Sequence, residues 1–126
     1  MIIDTDVLIW YLRGNDNARK IVNANSPFSI SIITYLELLQ GMKDKRELRI
    51  LQKYLRTWST EVIQINETIS NRAMFFTEDY FLSHSLKFAD AVIAASALER
   101  HEVLLTANEK QYSFIPNIEI SKFRSK

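Results

Sequence analysis

The sequence contains no cysteine. That excludes a disulfide framework and any metal site built on thiolates. Only two glycines and two prolines occur among 126 residues, so connections should be short and the elements tightly coupled. No uncharged apolar run approaches the roughly 20 residues that a membrane span requires. The N-terminus carries acids at positions 4 and 6 and no basic stretch before its first apolar run, unlike a secretory signal. The expected location is therefore the cytoplasm, with no membrane partner. A large charge of either sign is also lacking: the formal net charge is +1. Any affinity for nucleic-acid phosphates must come from local basic patches or a bound cation. What is present is globular in character, 47% hydrophobic and 25% charged, so disorder is not expected. Residues 1–126 are read as a single domain with a real core.

Short apolar strands alternate with helices along the chain. Met1 to Ile3 reads as a strand, and Val7 to Arg13 as a helix closed by Gly14. Asn15 to Asn25 is a second helix, which Pro27 stops. Phe28 to Ile32 is β-rich. Thr34 to Gln40 reads as a helix capped by Thr34 and stopped by Gly41. Lys43 to Thr57 is amphipathic, with Leu48, Leu51 and Leu55 on one face and Arg46, Arg49, Lys53 and Arg56 on another. Glu61 to Ile65 is a strand. Asn66 caps a long helix to about Ser83, and the alanine-rich segment Phe88 to His101 forms another. Val103–Leu105 and Ile118–Ile120 are the last strands. This alternation predicts an α/β fold, a parallel sheet of about four to five strands with helices on both faces. In such sheets ligands bind beyond the C-terminal strand ends, where strand order reverses.

The polar residues at those ends are therefore the candidates. Asp4 ends the first strand. Glu37 lies in the helix after the second, inside the apolar context YLELL. Asp90 starts the alanine-rich helix in FADAVIAA. Asn108 follows the fourth strand in LLTAN. Each has an ordinary structural use: Asp4 and Asp6 as helix N-caps, Asp90 against a helix dipole, Glu37 facing water or a lysine. Together they are harder to dismiss. Glu37 and Asp90 both interrupt strongly apolar segments, and a buried acid needs a partner or a metal. Grouped carboxylates suit a hard cation such as Mg²⁺ or Mn²⁺, which removes their repulsion.

Four stretches, MIIDTDVLI, SIITYLELLQG, FADAVIAASALE and LLTAN, closely resemble the PIN-domain ribonucleases. The likeness is greatest to VapC-type toxins of bacterial and archaeal toxin–antitoxin pairs, and it runs from residue 1 to about 120. It implies a PIN-like three-layer α/β/α fold and a metal-dependent endoribonuclease. RNA phosphodiesters would be hydrolysed by a metal-activated water, with Mg²⁺ or Mn²⁺ held by Asp4 and Asp90. Glu37 would position or deprotonate the water, or ligate a second ion. Thr5, Asp6 and Thr106 would support them. The implied partners are an RNA substrate, a cognate antitoxin protein and a second copy of the chain. Three positions depart from the family's pattern. Asn108 stands where the family frequently has Asp. Gln111 stands where a further acid is often found, beside Tyr112 in place of Phe. An amide supplies an oxygen but no charge, so a second tightly held ion is not implied.

The stripe Arg46, Arg49, Lys53 and Arg56 is a candidate contact for RNA phosphates or for an acidic antitoxin segment, or simply a solvated helix face. His84 and His101 fall in no motif and take no role. The aromatics Phe75, Phe76, Tyr80 and Phe81 exceed what one helix face needs, so some are candidates for an interface. Two other functions fit parts of the pattern. A phosphatase of the haloacid dehalogenase type would use Asp4 as a covalent nucleophile. Such enzymes have Gly-Thr just after the second acid, and this chain has Val7-Leu8. A non-catalytic PIN-like module binding RNA or protein would draw support from Asn108, but not from the three retained acids.

Overall fold

Five strands, each parallel to its neighbours, form one sheet in the order β3-β2-β1-β4-β5. The computed structural model describes residues 1–126. The strands are β1 (Ile2–Ile3), β2 (Ser29–Ser31), β3 (Glu61–Ile63), β4 (Leu104–Thr106) and β5 (Ile120–Lys122). The helices are α1 (Thr5–Leu12), α2 (Asp16–Ala24), α3 (Ile32–Gln40), α4 (Lys45–Thr57), α5 (Glu67–His84) and α6 (Phe88–Arg100).

Period-two alternation in these short strands builds two cores, one on each face. Ile2 and Leu104 point to one side, where they pack with Ile69 and Ala73 of α5 and the alanines of α6. Ile3, Ile30 and Leu105 point to the other. They meet Val7, Leu8 and Tyr11 of α1, Ala18 and Val22 of α2, and Leu51 of α4. All five of these strand residues are fully buried, and burial of each contributes about 1.5–3 kcal/mol. The run of small residues Ala91, Ala94, Ala95 and Ala97 lets α6 lie close to the sheet. The three-layer α/β/α arrangement expected from the sequence is therefore present.

Several boundaries differ from the sequence reading, and each has a physical cause. Helix α1 starts at Thr5 rather than Val7, because Asp4 is its N-cap and accepts from the Thr5 N–H at 2.8 Å. Helix α3 starts at Ile32, not Thr34. Ser31, the last residue of β2, caps it by accepting from the Ile33 N–H at 3.1 Å. Asn66 does cap α5, accepting from the Ile69 N–H at 2.8 Å. Strand β5 lies two residues later than expected, where Leu104, Leu105 and Thr106 pair with Ile120, Ser121 and Lys122.

The order of strands fixes where a site can form. From β1 the chain moves outward to β2 and β3. It then crosses back through α5 and α6 to β4 and β5 on the opposite side of β1. The reversal falls between β1 and β4, and the crevice beyond their C-terminal ends is the natural place for a ligand.

A candidate active site of converging acids

The side chains of Asp4, Thr5, Asp6, Glu37, Asp90, Asn108, Gln111 and Tyr112 line one cleft of about 250 Å³ at that reversal point. All four polar positions singled out from the sequence, Asp4, Glu37, Asp90 and Asn108, therefore meet in space. Their elements explain how. Asp4 and Asp6 come from the β1–α1 junction, Glu37 from the middle of α3, Asp90 from the first turn of α6, and Asn108 from the loop after β4.

Asp4 is the most enclosed of them, at 6% exposure. Its backbone N–H donates to the Leu105 carbonyl at 2.9 Å, which fixes the carboxylate against the end of β4. Its Oδ1 accepts from the Thr5 N–H. Its Oδ2 accepts from the Thr106 hydroxyl at 2.8 Å and from the Tyr112 hydroxyl at 3.0 Å. Burial nevertheless pushes the Asp4 carboxyl above the ordinary carboxylate range, and these donors only partly offset it. Asp90 is half-buried. It too is pushed up, first by burial and then by the charge of Asp4.

Asp6 is more than a support. Its Oδ1 accepts from the Val7 N–H at 2.8 Å and its Oδ2 from the Ala107 N–H at 3.1 Å, tying the start of α1 to the end of β4. Burial, then the charge of Asp4, pushes its carboxyl up to about 7. Thr106, fully buried, donates to Asp4 and accepts from the Asn108 N–H at 3.0 Å.

Glu37 departs from expectation. Its apolar neighbours suggested a buried acid, but both Leu36 and Glu37 are exposed, because α3 turns this face outward beside the cleft. The carboxylate is still held: its Oε1 accepts from the Thr5 hydroxyl at 2.7 Å, and that hydroxyl lies 3.0 Å from the Thr34 hydroxyl. Asn108 is also exposed, at the rim.

Tyr112 is the residue that sequence reasoning undervalued. A short 3-10 turn, Glu109–Gln111, delivers it under the cleft, where it is 1% exposed. Its hydroxyl lies 3.0 Å from Asp4 Oδ2 and 3.2 Å from Asp90 Oδ1, so its single proton is shared between two acids. Burial and those charges raise the phenol far above its ordinary range, so it stays a neutral donor. A tyrosine following the polar run Asn108-Glu109-Lys110-Gln111 gives no hint of this in one dimension.

The basic stripe does not join the cleft. Arg46, Arg49, Lys53 and Arg56 are exposed along α4, and none of them lines the acid pocket. The two histidines are likewise elsewhere. His84 stacks on Phe114 with ring centroids 4.1 Å apart, and His101 ends α6. Of the surplus aromatics, Phe76 and Tyr80 pack on the core, while Phe75 and Phe81 stay exposed.

The donor set can be tested against a divalent cation. No three acidic or histidine side chains form a ready-made cage. Mg²⁺ does not require one, since it keeps several waters and commonly takes one or two protein carboxylates. The cleft offers hard oxygens only. The charge of Asp4 disfavours that of Asp90, and the charge of Glu37 disfavours both, a cost that a cation removes. The amide oxygen of Gln111 is buried without a hydrogen-bond donor, so a cation or its water would satisfy it. The residues present fit a hard divalent ion.

A family model described as PIN domain matches residues 1–114. Similar solved structures extend over almost the whole chain. A toxin–antitoxin complex from Klebsiella pneumoniae is 26% identical, with a TM-score of 0.79, covering 99% of this chain and 97% of that one. VapBC2 from Rickettsia felis, bound to a fragment of promoter DNA, is 19% identical with a TM-score of 0.81, covering 98% of each chain. DNA-bound VapBC from Salmonella typhimurium is 23% identical with a TM-score of 0.82, covering 96% of each chain. Comparison with curated proteins gives no match.

Proposed function

The chain belongs to the PIN domain family, and from that premise we propose that it is a divalent-cation-dependent endoribonuclease, the toxin of a toxin–antitoxin pair acting in the cytoplasm. The observation that carries this reading is the meeting of Asp4, Glu37, Asp90 and Asn108 in one cleft at the strand-order reversal. Supporting it, solved structures of similar fold are toxin–antitoxin and VapBC assemblies. No helix is long and apolar enough to cross a membrane.

Asp4 and Asp90 are the residues that would hold Mg²⁺ or Mn²⁺. When bound, such an ion lowers the pKa of water and neutralises charge building on a phosphoryl group. The chain's own groups do the rest. Thr106 holds Asp4 in place through its hydroxyl. The Thr5 hydroxyl occupies Glu37 Oε1 and leaves Oε2 without a protein donor, free to orient an attacking water and take its proton. Asp6 fastens the β1–α1 junction to β4, so that Asp4 cannot swing away from Thr106. Asn108, at the rim, offers an amide to a phosphate oxygen or a water without adding negative charge.

Two surfaces bear on partners. Beside the acid cleft, and sharing Ile9 and Glu37 with it, lies a groove of about 490 Å³ walled by Leu12, Leu38, Met42 and Ile50. It suits an apolar antitoxin segment whose end could reach the acids. The Arg46, Arg49, Lys53 and Arg56 stripe runs along α4, whose Ile50 and Leu51 line that groove, and suits RNA phosphates or acidic antitoxin residues. A homodimer through α5 and α6 is supported by exposed Met74, Phe75, Phe81, Leu82 and Phe88.

The test is expression of the chain alone in a bacterial host. Growth arrest is expected, relieved by Asp4→Ala. Equal toxicity of parent and variant, or equal harmlessness, contradicts the reading. Incubation with Mn²⁺ and either RNA or a phosphomonoester separates it from a phosphatase.

A further inference from the structure

The Tyr112 hydroxyl stands between the two acids that the proposed function assigns to the cation, and nothing in that function requires a tyrosine there. The ring is locked into the core with Ile2, Ile93 and Leu104. Its backbone is pinned as well, since its N–H donates to the Glu109 carbonyl at 3.0 Å and its carbonyl accepts from the Ile115 N–H at 2.9 Å. The hydroxyl therefore has little freedom to move away from Asp4 and Asp90.

An acceptor count shows what this does. Asp4 Oδ2 already takes the Thr106 and Tyr112 hydroxyls, which fills its usual capacity. Asp4 Oδ1 takes only the Thr5 N–H. On Asp90, the Tyr112 hydroxyl is within reach of Oδ1, and Oδ2 has no protein donor. The single Tyr112 proton is thus shared between one oxygen of each carboxylate, and acceptor capacity is left on the other. Without that neutral donor, two like charges would relax apart or recruit water between them.

We propose that Tyr112 is a positioning residue for cation binding: its core-anchored hydroxyl clamps the Asp4 and Asp90 carboxylates at a fixed spacing, so that their remaining oxygens face a shared divalent ion. This rests on the reading of Asp4 and Asp90 as the cation-holding pair. Hydrogen-bond partners of metal-ligating groups typically govern affinity by roughly 10- to 100-fold.

Calorimetric titration of Mn²⁺ into the parent, Tyr112→Phe and Asp90→Asn tests it without any RNA. The phenylalanine keeps the ring in the core and deletes only the hydroxyl. The expected result is measurable binding by the parent, its loss in Asp90→Asn, and a dissociation constant raised about tenfold or more in Tyr112→Phe. A hydroxyl with a merely structural role would change the metal-free melting temperature and leave that constant alone. If the parent binds and Tyr112→Phe binds equally or more tightly, the clamp is overturned while the cation reading stands. If the parent binds nothing, the cation reading falls and the clamp with it. Should Tyr112→Phe fail to fold, the parent decides the matter by NMR of ¹³Cζ-labelled tyrosine, with five tyrosines to resolve. The Tyr112 resonance is expected to shift on addition of Mg²⁺, and an unmoved resonance refutes the clamp.

Discussion

Replacing Asp90 by asparagine should make the metal-free protein more stable while impairing its function. Asp90 is disfavoured as an anion first by burial and then by the charge of Asp4, with which it shares the Tyr112 hydroxyl. Asparagine keeps an oxygen for that hydroxyl and removes the charge. Two unit charges roughly 6 Å apart repel by about 3 kcal/mol at an effective dielectric of 20. Asp90 is half open to water, which screens the pair, so a gain of about 1–2 kcal/mol is expected. For a chain of this length that is a rise of roughly 3–8 °C in melting temperature. The assay is thermal or urea unfolding at pH 7.5 in EDTA, parent against Asp90→Asn, repeated with excess Mg²⁺. Mg²⁺ should raise the parent and leave the variant nearly unmoved, so the order of stability narrows or inverts. A variant destabilised in EDTA, or one that responds to Mg²⁺ as the parent does, would refute the idea that Asp90 sits in an uncompensated acidic pair.

The other expectations come from the same cluster and from the surface. Because Asp4, Asp6 and Asp90 are all raised, the folded chain holds protons that the unfolded chain has released. Their stabilising contribution is complete below the ordinary carboxylate pKa of about 4 and is lost as pH rises through about 7, the value for Asp6. In EDTA the urea midpoint should therefore fall between pH 5 and pH 8, and a flat or rising profile would contradict the burial of these acids. Thr106→Val deletes a buried donor 2.8 Å from Asp4 Oδ2 and should cost about 1–3 kcal/mol in denaturant titration; an unchanged midpoint would mean that the bond carries no weight. Sedimentation of the purified chain without antitoxin should give a dimer or larger species, and Phe81→Glu should shift it toward monomer, since Phe81 is 49% exposed on α5. A monomer at high concentration would remove α5 and α6 as an interface between copies.

The sequence carried the architecture because its strands are short, apolar and separated by well-capped helices. It carried the acids because each stands at an abrupt break in an apolar run. It did not carry their environments. Glu37 looks buried among leucines, but α3 has an exposed side, and which side faces out depends on packing beyond the helix itself. The start of α1 reads late in the sequence because Asp4 is both a cleft acid and the N-cap, and one residue serving two purposes blurs the boundary. The register of β5 depends on pairing with β4, a contact absent from its own residues. Tyr112 was least legible of all. Its partners Asp4 and Asp90 lie 108 and 22 positions away, and no local pattern records a hydroxyl placed between them.

The central claim is that a divalent ion at Asp4 and Asp90 supports hydrolysis of RNA by water, and mapping of cleaved ends tests it most directly. The purified chain is incubated with RNA in Mn²⁺ or in EDTA, alongside Asp4→Ala, and the chemistry of each new end is determined. Water attacking in line at phosphorus leaves a 5′-phosphate and a 3′-hydroxyl. That outcome is expected in Mn²⁺ alone, absent in EDTA and absent for Asp4→Ala. Cyclic phosphate ends would signal attack by the RNA's own 2′-hydroxyl. Those ends, or undiminished cutting in EDTA, would contradict the account even with every strand and helix in its place.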